Sequence, residues 1–241
     1  IKIRTMNPKT PISDEQLEAL ESEIRKQYRD RIGEKGTTPE GLFWDSKESM
    51  QTRFDAAIEF AEFERADVLD VGCGFGDFYG HLQDVGVEPA TYHGIDVSDA
   101  VLDEAINRYG DNPDVSFERR NVLRDPYESN QFDIAVVFGA LGHNLESIDN
   151  EAYMRRFLRT CFSCADTVVI NALSQYRQGD WDYEEFVYYY DPGKVFSYAQ
   201  ELTRNVRLRH DFEPIPQKEF IIVLEEDKTE NNEPSIAQLD N

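Results

Sequence analysis

Lysine is scarce in this chain: there are eight in 241 residues, where Lys and Arg together number 25 and Asp and Glu number 48. The formal net charge is −23. A surplus of carboxylates spread over the whole chain opposes nonspecific binding to polyphosphates. Dispersed carboxylates stay hydrated and soluble where salt screens their repulsion, so the composition reads as adaptation to high salt, as in the acidic proteome of a halophile. An ordinary acidic cytoplasmic protein carries the same sign of charge. Cysteine is sparse too. Three cysteines without dense spacing argue against a disulfide scaffold and for a reducing, cytoplasmic compartment. Cys161 and Cys164 form a Cys-x-x-Cys pair, but no second pair stands nearby to complete a metal site, so core burial is expected. No apolar run reaches the length of a membrane span. No apolar h-region follows Ile1-Lys2-Ile3-Arg4, so a signal peptide is not expected, and Met6 reads as a candidate native start.

The most informative residues are Val68-Leu69-Asp70-Val71-Gly72-Cys73-Gly74-Phe75-Gly76-Asp77. A short apolar run ends in a turn of alternating glycines, and a helical pattern opens at about Asp77. Glycine permits positive φ and close approach of a ligand to backbone, and a helix N-terminus presents free N–H groups. The dinucleotide fingerprint needs glycine at the first, third and sixth positions; here these are Gly72, Gly74 and Asp77. An acid at the last position repels a pyrophosphate, and no Gly-Lys-Ser/Thr triplet makes a P-loop. A glycine turn flanked by Asp70 and Asp77 suits a ligand with a cationic part, such as an α-amino group or a sulfonium.

At these residues the chain resembles the class I S-adenosylmethionine-dependent methyltransferases, whose first motif is an apolar pair, an acid and alternating glycines. The resemblance covers residues 42–225 in order. It implies S-adenosylmethionine as cofactor, with Asp70, Gly72, Cys73, Gly74 and Gly76 at its site. Asp96, followed by Val97, stands 24 residues after Gly72 at the end of the second strand. In a doubly wound sheet that point lies beside the glycine turn, and a carboxylate there can accept both hydroxyls of a ribose. Asn121 follows the third strand where the family often has Asp accepting from the adenine amino group; an amide oxygen can accept the same bond, with Val122 supplying an adjacent N–H and an apolar face. Asn121 also reads as a turn former before Leu123-Arg124-Asp125-Pro126. Phe132 to His143 resembles the family's fourth motif, with Phe138 bordering the ligand. His143 is the nearest titratable side chain to the expected methyl position, a candidate general base; it reads equally well as a structural loop histidine. The Pro-Pro-Tyr/Phe and Pro-Cys signatures of base-methylating members are absent here.

Around these motifs the chain alternates strand and helix, which predicts a parallel sheet with helices on both faces. Strands are expected at 68–71, 92–97, 115–118, 132–138 and 167–172, and helices at 77–85, 98–109 and 150–162, with Ser98 capping the second of these. Residues 206–212 and 220–225 are too close for a parallel crossover, so they should form an antiparallel hairpin. The expected fold is α/β: a doubly wound, seven-stranded, mostly parallel sheet ending in that hairpin. Residues 1–45 should form an N-terminal helical extension, with one helix at 13–31 capped by Ser13 and Gln16 and a loop from Gly33 to Gly41. Residues 46–225 should form the methyltransferase domain, opening with a helix at 46–64, and 226–241 a polar, disordered tail. The aromatic-rich segment 176–198, with Trp181, Tyr183, Phe186, Tyr188, Tyr189 and Tyr190, reads as a lid. Arg53 reads as a surface ion pair or as a partner for the methionine carboxylate.

The expected reaction is methyl transfer to a small-molecule acceptor, with neither nucleic acid nor membrane as a partner. An RNA or protein methyltransferase is the alternative, through Arg119, Arg120 and Arg124 or through Arg155, Arg156 and Arg159. A module that binds cofactor without catalysis is the third reading.

Overall fold

A computed structural model describes residues 12–145, 147–176, 184–211 and 219–227. Its centre is a seven-stranded sheet in the order β3-β2-β1-β4-β5-β7-β6. The strands are β1 (Asp67–Val71), β2 (Thr91–Asp96), β3 (Val115–Arg119), β4 (Phe132–Val137), β5 (Ala165–Leu173), β6 (Asn205–Arg209) and β7 (Glu219–Glu225). The first five run parallel, and β7 is antiparallel to both β5 and β6. The helices are α1 (Asp14–Lys35), α2 (Lys47–Ile58), α3 (Asp77–Val85), α4 (Asp99–Tyr109), α5 (Asn150–Cys164) and α6 (Pro192–Gln200), with a 3₁₀ turn at Pro39–Leu42.

Strand geometry explains the two layers of core. Neighbouring residues point to opposite faces, and the central strands carry apolar residues on both. Leu69, Ala135, Val137, Val168 and Ile170 pack with Met154, Phe157 and Leu158 of α5 and with Leu17 and Leu20 of α1. Val68, Ile134, Val136, Val169, Ile221 and Val223 pack with Met50, Phe54 and Ala57 of α2 and with Phe78 and Leu82 of α3. Cys161 and Cys164 are free and fully buried on α5. Among the described residues no helix is long and apolar enough to cross a membrane.

Element ends differ from expectation for local reasons. The first helix starts as expected, with the Ser13/Gln16 capping box formed. It runs on through Gly33 to Lys35 and stops at Gly36, whose φ of 70° ends the helix while its N–H reaches the Ile32 carbonyl. The second helix closes early, at Ile58, because the chain must turn to put Phe63 and Ala66 into the core. Ser98 holds the N-cap position of α4 without a side-chain capping bond; Asp96 Oδ1 accepts the Ser98 N–H instead, at 2.9 Å. The hairpin forms, with its first strand ending early, at Arg209, and its second starting one residue sooner, at Glu219. Phe212, Trp181, Tyr183 and nearly all of the 226–241 segment lie outside the described residues.

Candidate cofactor and acceptor site

Strand order reverses between β1 and β4, and ligands bind at the carboxyl edge of such a point. A cavity of about 290 Å³ opens there. Asp70, Gly72, Cys73, Gly74, Asp96, Val97, Asn121, Val122, Phe138 and His143 all line it. Gly76 does not. Its φ is 74°, and a Cβ there would meet Tyr109 at 2.9 Å, so it serves the packing of α3 against α4.

The turn after β1 is built for close approach. Gly72 has φ 81° and donates its N–H to the Ile95 carbonyl at 2.8 Å; a Cβ would strike that of Ala140 at 2.8 Å. Gly74, at φ 55°, gives its N–H to Asp96 Oδ2 at 3.3 Å and leaves no room for a side chain under Leu42. The turn thus carries bare backbone to the cavity wall between two strand ends.

Carboxylates dominate its electrostatics. Burial pushes the Asp70 carboxyl up to about 7, against the pull of the Tyr92 hydroxyl that donates to it and with help from Asp96 and Asp77. Burial also pushes Asp96 up to about 6, opposed by the N–H groups of Ser98, Gly74 and Val97. Asp77 is raised by burial and held back by Arg108, 3.0 Å from it. Desolvated acids around a glycine turn suit a cationic ligand that carries hydroxyl donors, and they disfavour a pyrophosphate. The residues therefore fit S-adenosylmethionine. Cys73 is not a nucleophile, because burial and these neighbouring acids raise its thiol well above the ordinary value.

At the far end of the cavity, beyond β3, the Asn121 amide is committed elsewhere. Its oxygen accepts the Leu123 N–H at 2.9 Å, and its nitrogen donates to Glu21 Oε1 on α1 at 2.8 Å. The turn-forming role is therefore the one its side chain fills.

His143 and a buried polar cluster around Arg53 line the same cavity. The Tyr28 and Phe43 rings, 5.6 Å from each other, meet the His143 ring edge-on at 6.5 and 6.2 Å. Burial lowers its pKa, with a small opposing effect from Glu23, which keeps the imidazole neutral and able to take a proton. Its loop is tied to the segment after β5: Asn144 N–H donates to the Phe186 carbonyl at 2.8 Å, and Tyr188 N–H to that of Gly142 at 2.9 Å. Phe186 lines the cavity, whereas Tyr188 and Tyr190 pack on the core.

Arg53 is no surface residue. It is 4% exposed and pairs with Glu219, also 4% exposed, through Nε at 2.6 Å and through Nη2. Asn171 at the end of β5 donates to Glu219 at 2.7 Å, and the Trp44 ring lies under the guanidinium at 4.8 Å. Sequence reasoning missed Glu219, Asn171 and Glu21. The acid heading the apolar strand β7 was the one visible sign of the first; neither of the others leaves a local signal.

Most arginines of the two basic clusters already have partners. Arg119 pairs with Asp99, Arg120 with Glu118 and Asp125, Arg124 with Glu21, and Arg155 with Glu201. Arg156 donates to the Ile12 and Leu123 carbonyls.

Residues 68–162 match the family model described as a methyltransferase domain. No curated protein matches the chain in sequence. Among solved structures, magnesium protoporphyrin IX methyltransferase from Synechocystis PCC 6803 with bound SAH is similar at a TM-score of 0.59 and 12% identity, over 87% of this chain and 100% of that one. The DhpI–SAH complex is similar at 0.60 and 15%, over 90% of this chain and 100% of that one. The first protein has also been solved with SAM, at a TM-score of 0.57 to this chain and 12% identity, over 89% of this chain and 100% of that one.

Proposed function

We propose that this chain is a class I S-adenosylmethionine-dependent methyltransferase, that its acceptor is a small molecule and that His143 receives the acceptor's proton. When bound, the cofactor supplies a methyl group already activated on a sulfonium, so the protein's work is alignment, exclusion of water and proton removal. Asp96 is the acceptor for ribose hydroxyls, Asp70 balances positive charge at the glycine turn, and Val122 and Phe138 are apolar walls. At the acceptor end, neutral His143 takes a proton on its imidazole from an O–H or N–H nucleophile.

The observation that carries the small acceptor is the lack of a free basic track beside the cavity. Every arginine of the two basic clusters that could guide RNA, except Arg159, is paired with an acid or bonded to a carbonyl, and the His143 ring is packed edge-on against Tyr28 and Phe43. The acid-rich composition supports work at high salt, and three buried, free cysteines are consistent with the cytoplasm.

Two measurements test the reading. Calorimetric titration with S-adenosylmethionine should show binding that Asp96→Ala abolishes. Labelled methyl groups should pass to a small-metabolite extract, not to RNA or protein; transfer to RNA that weakens steeply with salt would refute the small acceptor. Binding without turnover on any fraction would favour a module without catalysis. His143→Ala should cut kcat by about 100-fold or more while leaving cofactor affinity unchanged; an equal kcat would remove His143 from the mechanism.

A further inference from the structure

Glu21 lies on α1, remote in sequence from every motif of the site, yet it lines the cavity beside Asn121 and Val122. Its side chain is 12% exposed. Oε1 accepts from Asn121 Nδ2 at 2.8 Å and from Arg124 Nη1 at 3.1 Å. Among the described residues no donor reaches Oε2. Two donors thus hold the carboxylate in place, and one of its oxygens keeps its lone pairs for something else.

The topology says what that something is. β2 and β3 are adjacent and parallel, with Asp96 opposite Arg119. A ribose held at Asp96 therefore directs its base toward the end of β3, where Val122 and Leu20 are buried apolar residues lining the same cavity. The base needs an acceptor for its exocyclic amino group. The Asn121 oxygen already serves the Leu123 N–H and its nitrogen, a donor, is turned to Glu21, whereas a whole oxygen of the Glu21 carboxylate is left to accept.

We propose that Glu21 is the specificity residue for the cofactor's base: its free carboxylate oxygen accepts the adenine 6-amino group, and α1 is thereby part of the cofactor site. Asn121 and Arg124 are positioning residues that aim it. The proposal rests on the cofactor reading above. It differs from a general docking role for α1 because it makes affinity depend on the chemistry of one edge of the base. A 6-oxo purine presents an acceptor to that carboxylate, and a site built to accept a hydrogen bond rejects such an analogue strongly.

The test is calorimetry with S-adenosylhomocysteine and its 6-oxo analogue, S-inosylhomocysteine, on the full chain. The native protein should prefer the amino form by about 100-fold or more. Glu21→Gln keeps the shape of the side chain and can turn an N–H toward a 6-oxo group, so the preference should fall to about tenfold or less. The double variant Glu21→Gln with Asn121→Asp returns a carboxylate to the same end of the cavity and should recover much of the preference. Thermal melts establish that each variant is folded. If Glu21→Gln weakens both ligands equally and leaves their ratio intact, Glu21 is only a docking contact and the proposal fails. If the native chain binds neither ligand, the cofactor reading itself falls, an outcome distinct from an unchanged ratio.

Discussion

Removing one hydroxyl group should move the pH at which this protein binds its cofactor. Tyr92 and Asp70 sit on neighbouring strands, 1% and 2% exposed, and the phenol donates to the carboxylate. The Tyr92 ring is held independently by Tyr79 at 5.0 Å and Phe117 at 6.2 Å, so Tyr92→Phe should keep the packing and delete only the hydrogen bond. Burial already sets the Asp70 carboxyl at about 7 with that bond in place. A hydrogen bond to a charged group is worth about 1.5–3 kcal/mol, which corresponds to raising the carboxyl by about one to two pH units. A cationic ligand favours the ionised form. Native affinity should therefore climb with pH and level off above about 7, and in Tyr92→Phe the plateau should begin one to two units higher. At pH 7, where the native carboxyl is half ionised, the variant should bind about 5- to 50-fold more weakly, and at pH 9 the gap should shrink to about twofold or less. Calorimetry across pH, in two buffers of different ionisation enthalpy, reads both affinity and protons released. A uniform loss at every pH, or an unmoved plateau, would refute the reasoning. Linkage supplies an independent check in the empty protein. Asp70 has a folded-state value above its unfolded one, so its contribution to stability is full below about pH 4 and is lost as pH rises through about 7. Asp70→Asn should therefore gain about 2–4 kcal/mol relative to native between those limits, with any constant offset appearing equally at both ends.

Breaking the Arg53–Glu219 pair from one side, by Arg53→Met, strands a buried charge and should cost about 3–5 kcal/mol in denaturant unfolding. Adding Glu219→Gln should recover most of that while acceptor turnover stays low and cofactor affinity stays native; recovered turnover would show that the pair is structural only. Melting temperature should rise as KCl is taken from about 0.1 to 3 M, because screening relieves repulsion among the surplus acids. A flat or falling curve would remove the salt-adaptation reading. Phe54→Ala should cost about 3–5 kcal/mol in the same denaturant assay, since it removes the ring that meets Phe78 at 5.2 Å and Phe138 at 5.0 Å.

The central strands and the cofactor end were legible because each carries its own local signal. An apolar run such as 132–137 can only be a doubly covered strand, and the glycines of 72–74 announce a turn that a side chain would block. The carboxylate spaced 24 residues on is placed by topology alone. What escaped is made of long-range pairs. Nothing near Arg53 says that its partner is 166 residues away, and nothing near Glu21 points to Asn121, 100 residues on. Ser98 looked like the cap for α4 because it holds the right position, but its hydroxyl makes no bond to the first turn. Gly76 was assigned to the ligand because spacing cannot tell a glycine facing a cavity from one facing a neighbouring helix.

The pairing of Arg53 with Glu219 also sets an order for the birth of the enzyme. One partner is made early and the other is in the last strand, with most of the sheet between them. A ribosome could release a chain whose first five strands are paired and whose glycine turn is formed, yet the acceptor wall would still lack its acid. A domain folds as a unit, so the pair can close only once β7 has been made.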